Sequence, residues 1–346
     1  MPPKAKDPKG GKAKKGKDTA GEEAVLHVRA FLKSYSSHSG AAGLEMLHLP
    51  FSPVTTEGTG PFGRVVVHPQ LDSGPVPTAG HVKVLLEALA ASNYSHLLTL
   101  ALWNVPLGDL GATCVAGFMS QNRTVINCEL PDCGLGTGAC KSLCEALEKN
   151  RTLTRLNLDH NKLGDEGLQA LTENIHANQT LKQLSLAFCE LSGASAGRIT
   201  GSILRIGTLE RLELKGNSLG SAGAAFIFQR LSMGHISMAH IGVADTSFGL
   251  EPDVHTALNA CMRANKTLIS YDLRGNHIGD SYAYGYAKML TMEAKHVIDL
   301  RLSDRIDPPL FKQVLNAAAV NKKEWVKMNK KKKGKKGGKK GGKKKS

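Results

Sequence analysis

One apolar pattern returns along this chain at a constant step of 28 residues, and a repeat of that size leaves few folds open. Read from Leu153, the unit is Leu153, Leu156, Leu158, Asn161, Leu163 and Gly164, followed by Leu168, Leu171 and Ile175. One step back the same slots hold Val125, Cys128, Leu130, Cys133, Leu135 and Gly136, then Cys140, Leu143 and Leu147. One step forward they hold Leu181, Leu184, Leu186, Cys189 and Leu191, then Ala196, Ile199 and Ile203. A further step gives Leu209, Leu212, Leu214, Asn217, Leu219 and Gly220, then Ala224, Ile227 and Leu231. A unit this short cannot bury its apolar face alone, so neighbouring units must stack on one another.

Two rhythms share each unit. Leu-x-Leu near the start alternates with period two, which predicts a short strand with both leucines inward. The later triplet, spaced i, i+3, i+7, is one stripe of an amphipathic helix. A turn joins them, as in Leu163-Gly164-Asp165-Glu166-Gly167 and Leu219-Gly220-Ser221-Ala222-Gly223; its first glycine reaches backbone angles that other residues resist. Each helix is expected to end at an asparagine of Asn122-Arg123-Thr124, Asn150-Arg151-Thr152, Asn178-Gln179-Thr180 or Asn265-Lys266-Thr267, in the left-handed conformation that asparagine tolerates. The Leu-x-x-Leu-x-Leu-x-x-Asn/Cys-x-Leu-Gly string and its length resemble the ribonuclease-inhibitor-like subfamily of leucine-rich repeats. The resemblance implies an α/β solenoid, a horseshoe with parallel strands on the concave face and helices on the convex face. It extends back to Leu97, Leu100, Leu102, Leu107 and Gly108. Forward it reaches Leu268, Leu273, Asn276, Ile278 and Gly279, the helix of Ala283, Tyr286 and Leu290, and a half-unit of Val297, Leu300 and Leu302.

Elsewhere the pattern loosens. Thr208 to Thr267 spans two units plus a few residues; Ile236, Met238, Ile241 and Val243 are expected in the strand slots, with a longer loop from Thr246 to Asp253 through Gly249 and Pro252. Leu44, Leu47 and Leu49 mimic the strand consensus, and Gly58 to Gly63 reads as a flexible connection. Val65 and Val67 with a helix from His81 to Ala91 read as a divergent unit. Val25, Val28, Phe31, Leu32 and Tyr35 have the spacing of a capping helix. Asp307 with Pro308 and Pro309 is a helix start, and the helix through Phe311, Val314, Leu315 and Ala318 is expected to close the other end of the core.

Charge is concentrated at the ends. Residues 1–18 hold seven lysines and two aspartates, and residues 327–346 hold twelve lysines and no acid. The chain as a whole carries +15, so the stretch between is close to neutral. Lys and Gly runs bury no apolar area, so both ends are expected without structure. The expected division is a basic tail at 1–21, a cap with divergent repeats at 22–95, the repeat array at 96–306, a cap helix at 307–326 and a polylysine tail at 327–346. No leading apolar stretch or membrane-length run is present, which points to an intracellular protein away from membranes.

Several motifs invite sharper chemistry, and the repeat absorbs each. Cys128, Cys133, Cys140 and Cys144 lie close enough in sequence for zinc, but Cys128 and Cys140 occupy leucine slots, while Cys133 and Cys189 share the asparagine slot, so small buried thiols are expected. The odd count of seven also disfavours disulfides. Gly134-Leu135-Gly136-Thr137-Gly138 lacks the Lys-Ser/Thr of a phosphate loop and coincides with the repeat's own turn. The Asn-x-Thr triplets recur at the same turn, which explains them without sugar. No nucleophile–base pairing stands out from the repeats, so no catalytic, cofactor or metal residue and no small-molecule substrate is expected.

Specificity is expected on the inner rim. Side chains before, between and after the strand leucines face it: Trp103, Arg155, Asn157, Asp159, Arg211, Glu213, Lys215, Asp272, Arg274 and Arg301, with His160 and Phe188 at its edge. Trp and Arg favour protein interfaces, although Trp103 also has the alternative of packing beneath the N-terminal cap. Lys330, Lys331, Lys332, Lys333, Lys335, Lys336, Lys339, Lys340, Lys343, Lys344 and Lys345 are expected to hold a polyanion through counterion release. The tails have no aromatic residue and no Arg with which to read bases, which favours acidic tubulin tails over RNA. The reading is a non-enzymatic scaffold in the cytoplasm and on the cytoskeleton, similar to axonemal repeat proteins of cilia and flagella. A nucleolar or ribosome-associated RNA adaptor is the alternative. A regulator resembling the Ran GTPase-activating protein would carry an acidic tail, and ribonuclease inhibition would want an acidic rim.

Overall fold

The computed structural model describes residues 19–47, 62–69, 74–235 and 237–338, with the backbone alone at 19–22, 24 and 331–338. Among these residues nine strands form one open parallel sheet in strict chain order: β1 (Arg64–Val67), β2 (Thr99–Leu102), β3 (Asn127–Glu129), β4 (Arg155–Asn157), β5 (Gln183–Ser185), β6 (Arg211–Glu213), β7 (His240–Gly242), β8 (Ser270–Asp272) and β9 (Asp299–Arg301). Between successive strands lie α2 (Ala79–Ala91), α3 (Gly108–Gln121), α4 (Thr137–Lys149), α5 (Gly164–Thr172), α6 (Ala196–Gly201), α7 (Gly220–Ser232), α8 (Pro252–Ala264) and α9 (Asp280–Met292), with α1 (Thr19–Ala42) and α10 (Pro308–Gly338) at the ends. Strands sit about 4.8 Å apart whereas helices need roughly 10 Å. The strand side is therefore the inside of the curve.

Repeat slots become rungs. Leu100, Cys128, Leu156, Leu184, Leu212, Ile241, Tyr271 and Leu300 pair across successive strands. The next inward row, Leu130, Leu158, Leu186 and Leu214, is fully buried, and each of these residues donates its N–H to the following strand's carbonyl, as in Leu130 to Asn157 at 2.9 Å and Leu158 to Ser185 at 3.0 Å.

Amide side chains tie the units together at two levels. Asn161 Oδ1 accepts from Cys133 N and Leu135 N, and its Nδ2 donates to Leu130 O and Leu158 O. Asn217 and Asn276 repeat the arrangement. At the helix ends, Asn150, Asn178 and Asn265 donate Nδ2 to the preceding unit's last helical turn and accept the N–H groups of the following Thr and Leu. These three asparagines and Asn122 are extended, with φ from −81° to −67°, not left-handed as expected. The side-chain amide ends the helix by taking over the backbone groups that the stopped helix leaves open.

Other expectations shift with the local physics. Ile175 and Ile203 lie in short 3₁₀ turns, because α5 and α6 stop early. Buried Thr172 and Thr200 turn their hydroxyls onto Leu168 O and Ala196 O, and Gly197 and Gly201 weaken α6. Met238, Ile241 and Val243 fill the strand slots, while Ile236 lies outside the described residues. Thr246 takes the asparagine slot and Pro252 begins α8, so the expected loop ends earlier. Leu44 and Leu47 form no strand; Leu47 N donates to Tyr35 Oη at 3.1 Å beneath α1. Leu49 and residues 58–61 are outside the described residues, as are the 1–18 tail and residues 339–346.

At the far end α10 covers the last strand with Val314 and Ala318, and Leu315 is 44% exposed on its outer side. Asn321 Nδ2 reaches Leu290 O and Val297 O, standing in for the helix-end asparagine of a further repeat. The helix runs on past residue 326 to Gly338, since lysine extends a helix already nucleated at little cost.

Candidate protein-interaction face

Three outward rows line the inside of the curve. The first runs Asn127, Arg155, Gln183, Arg211, His240, Ser270, Asp299, and the second runs Glu129, Asn157, Ser185, Glu213, Gly242, Asp272, Arg301. The third, just past the strands, holds Trp103, Asp159, Lys215 and Arg274. The predicted residues thus share one face but separate into three clusters along it.

The first cluster is anchored by Glu129, which the sequence did not single out. Its carboxylate accepts Trp103 Nε1 at 2.9 Å and Asn127 Nδ2 at 2.6 Å, with Arg64 at 3.8 Å. Trp103 is therefore half-buried on the rim, with Arg64 5.4 Å from its ring centroid. The central cluster has Arg155 exposed beside Asn157, while Asp159 turns back to accept Ser185 Oγ and Ala187 N.

The third cluster is a connected polar network over β6 to β9. Glu213 pairs with Arg211 at 2.5 Å and lies 2.7 Å from His240 Nε2, within ion-pair distance though off the line of a hydrogen bond. His240 Nδ1 contacts Ser270 Oγ at 2.8 Å, and Ser270 donates to Asp299 Oδ2 at 3.0 Å. Asp272 receives Arg274 through two hydrogen bonds, at 2.9 and 2.6 Å, with Arg301 3.7 Å away. Asp272 is thus buried under its arginines and is not the free contact residue expected.

Ser270, His240 and Glu213 stand in the order of a hydrolase triad, but the protons run the wrong way. In this arrangement Ser270 gives its one hydroxyl proton to Asp299, so its oxygen is left to accept from His240 Nδ1. The network braces the sheet. Burial pushes the Glu213 and Asp272 carboxyls up, but His240 with Arg211, and Arg274 with Arg301, outweigh it and hold both below their ordinary values of 4.5 and 3.8. The sign follows: stability from these pairs is full above those values and is lost as pH falls through the lower folded ones. Thermal scans from neutral pH to below 3.8 are expected to show a shallower acid-side decline for Glu213→Gln and Asp272→Asn than for the parent. Parallel declines would remove the pairs from the acid response.

His160 and Phe188 hold left-handed backbone angles, φ 59° and 54°, and their rings stack at 4.6 Å. The cysteines are interior groups: Cys128, Cys133, Cys140, Cys189 and Cys261 are buried, and burial pushes each of these thiols up to about 12. Cys133 Sγ donates to Leu102 O at 3.0 Å, doing for the backbone what asparagine does in its slot elsewhere. No helix of the described residues is long and apolar enough to cross a membrane.

Glu129, Gln183, Ser185, His240, Ser270 and Asp299 escaped the sequence reading. Slot arithmetic reaches the first three directly, and Ser270 and Asp299 lie two residues before the expected Asp272 and Arg301; His240 falls where the register moves by 29 residues.

An open parallel solenoid with a laddered inner face defines a class, and the sequence comparison agrees with it. The leucine-rich repeat family model matches residues 149–171 and 177–197. The chain thus has the fold of a leucine-rich repeat solenoid, and two of its repeats are similar to that family's model. No curated protein sequence matches it. Among solved structures, the actin-binding site 2 of leiomodin-1 aligns with a TM-score of 0.34 and 13% identity, covering 63% of this chain and 95% of that chain.

Proposed function

We propose that the chain is a non-enzymatic interaction scaffold of the ribonuclease-inhibitor-like subfamily, whose strand face binds a protein and whose lysine-rich ends hold it on a polyanionic surface. The 28-residue step, the long helices of most units and the Asn/Cys alternation at one buried slot support the subfamily. The observation that carries the function is the inner face itself: a continuous ladder of polar and aromatic side chains, exposed on one side of a sheet that the interior does not need for packing. Leucine-rich repeat folds serve mostly as binding surfaces of this shape.

The tether belongs to the C-terminal end. Asn321 makes the last interior contacts of α10, and between residues 322 and 338 nine lysines face a single acid, Glu324. Like charges at i, i+4 repel along such a helix, and an acidic polymer relieves that repulsion. A microtubule surface, in the cytoplasm or an axoneme, is the polyanion we favour over RNA, because the lysine runs at 1–18 and 327–346 bring neither arginine forks nor stacking rings.

The test is cosedimentation with microtubules. Deleting residues 330–346 is expected to abolish attachment and leave the melting temperature unchanged, since the interior contacts of α10 among the described residues end at Asn321. Attachment of the full chain should fall steeply with added salt. Attachment that survives deletion of 330–346 and 1–18 would refute the tether. RNA binding by the full chain without microtubule binding would move it to the nucleolar alternative.

A further inference from the structure

Among the described residues, Arg155 is the one arginine or lysine of the strand face whose charge meets no acid. Arg64 has Glu129, Arg211 has Glu213, Lys215 has Asp245 at 3.7 Å, and Arg274 and Arg301 share Asp272 and Asp299. Arg155 stands exposed in a depression of about 310 Å³, with Asn127, Asn157, Gln183 and Ser185 around it. The two acids at the margins of that depression are engaged already, Glu129 by Trp103 and Asn127, and Glu213 by Arg211 and His240. What remains is a forked cation flanked by neutral amides, with no carboxylate assigned to it.

A second, independent observation lies one strand along, at the edge of the same face. The units of β2 to β8 each have one position of positive φ just past the third outward row: Asn104, Asp132, His160, Phe188, Gly216, Asp245 and Gly275. Asn, Asp and Gly tolerate that region, whereas a bulky aromatic residue there is an outlier. Phe188 gains little shelter in return, being 39% exposed. Its ring lies on that of His160 with 14° between the planes, and Lys215 Nζ stands 5.4 Å from its centroid. Gly216 fills the same slot one unit on, at φ 72°, and the ring leans over it, where a Cβ would come within 2.2 Å. Backbone strain kept at an exposed aromatic residue is a feature that clusters at binding sites.

We propose that Arg155 and Phe188 are the two anchors of one docking site for an extended acidic peptide. A partner carboxylate takes the guanidinium fork of Arg155 in the bidentate geometry that lysine cannot offer. An apolar partner side chain lies against the His160–Phe188 rings. Arg and aromatic anchors ringed by weaker polar contacts are the usual anatomy of an energetic centre. This rests on the strand face being the protein-binding face.

The test pans a displayed library of linear peptides against the full chain at a salt concentration that silences the lysine tails. Enriched sequences are expected to pair Asp or Glu with a large apolar residue. Arg155→Gln and Phe188→Asn should each weaken the best peptide roughly tenfold or more. Both variants keep the tails, so tail binding cancels in the comparison, and Lys288→Gln on the outer side is expected to change nothing. Phe188→Asn should also raise the melting temperature by relieving the backbone, which separates lost binding from lost folding. Peptides that crosslink to the strand face yet ignore Arg155 and Phe188, or that lack acids, overturn this site alone. Enrichment of no peptide on that face overturns the protein-binding reading together with it.

Discussion

Leu156→Asp is expected to unfold the central repeats. Leu156 is 3% exposed and sits between Cys128 and Leu184 on neighbouring rungs, so its side chain has apolar partners in both directions. Losing that packing costs about 2–5 kcal/mol by analogy with Leu→Ala in other cores. A carboxyl placed there without a partner adds about 1–3 kcal/mol even when it takes up a proton to become neutral. The sum is on the order of the whole stability of an ordinary domain, about 5–15 kcal/mol. In a stack each unit leans only on its neighbours, so the damage is expected to begin at β3–β5 and divide the array. Circular dichroism with urea titration reads the loss directly, and hydrogen exchange should show amides of β4 opening first. Leu156→Ala, which removes packing without adding a polar group, is expected to stay folded with a lower midpoint. A Leu156→Asp chain that unfolds at the parent's urea concentration would mean that the leucines do not share one dry interior.

How much of this was readable beforehand depends on what each residue type repeats. Positions such as Leu130, Leu158, Leu186 and Leu214 repeat because every unit presents the same cross-section to its neighbours, so spacing alone gave their register. Where a unit gains a residue in a loop, the cross-section survives while the arithmetic slips. Thr246 therefore went unrecognised in the asparagine slot, and Tyr271 in a leucine slot. The inner face was legible as a set of outward positions, because strand alternation dictates them. Its charges were not legible as pairs, because pairing joins side chains two residues apart or one strand away and depends on rotamers. Arg274 and Asp272 looked like two contacts for a partner and turn out to satisfy each other. Phe188 illustrates the opposite failure. Its identity was on the page, but the backbone angle that makes it unusual belongs to a slot usually filled by Asn, Asp or Gly, and propensity argues against finding a phenylalanine there.

The asparagine ladder offers a sharper test of the stack than the leucines, because it separates polar satisfaction from packing. Asn161 is fully buried and makes four short hydrogen bonds: Oδ1 to Cys133 N at 2.9 Å and Leu135 N at 3.0 Å, Nδ2 to Leu130 O and Leu158 O at 2.8 Å each. Asn161→Ala removes few apolar contacts but strands two buried N–H groups of the preceding unit. Each orphaned donor costs about 1–3 kcal/mol, so a loss of about 2–6 kcal/mol is expected for the two. Asn161→Cys should recover part of it. Cysteine already fills this slot at Cys133 and Cys189, where the thiol donates to a carbonyl of the preceding unit and the cysteine's own main-chain oxygen accepts Gly108 N and Gly164 N respectively. Asn161→Asp keeps both acceptors and loses both donors, leaving a carboxylate against Leu130 O and Leu158 O; it should fall below the cysteine variant despite matching asparagine in size. Urea midpoints therefore order as parent, cysteine, then alanine and aspartate. An alanine variant within about 0.5 kcal/mol of the parent, the range of an ordinary surface change, would show that the turns satisfy their own backbone and that the amides add nothing to the contact between units.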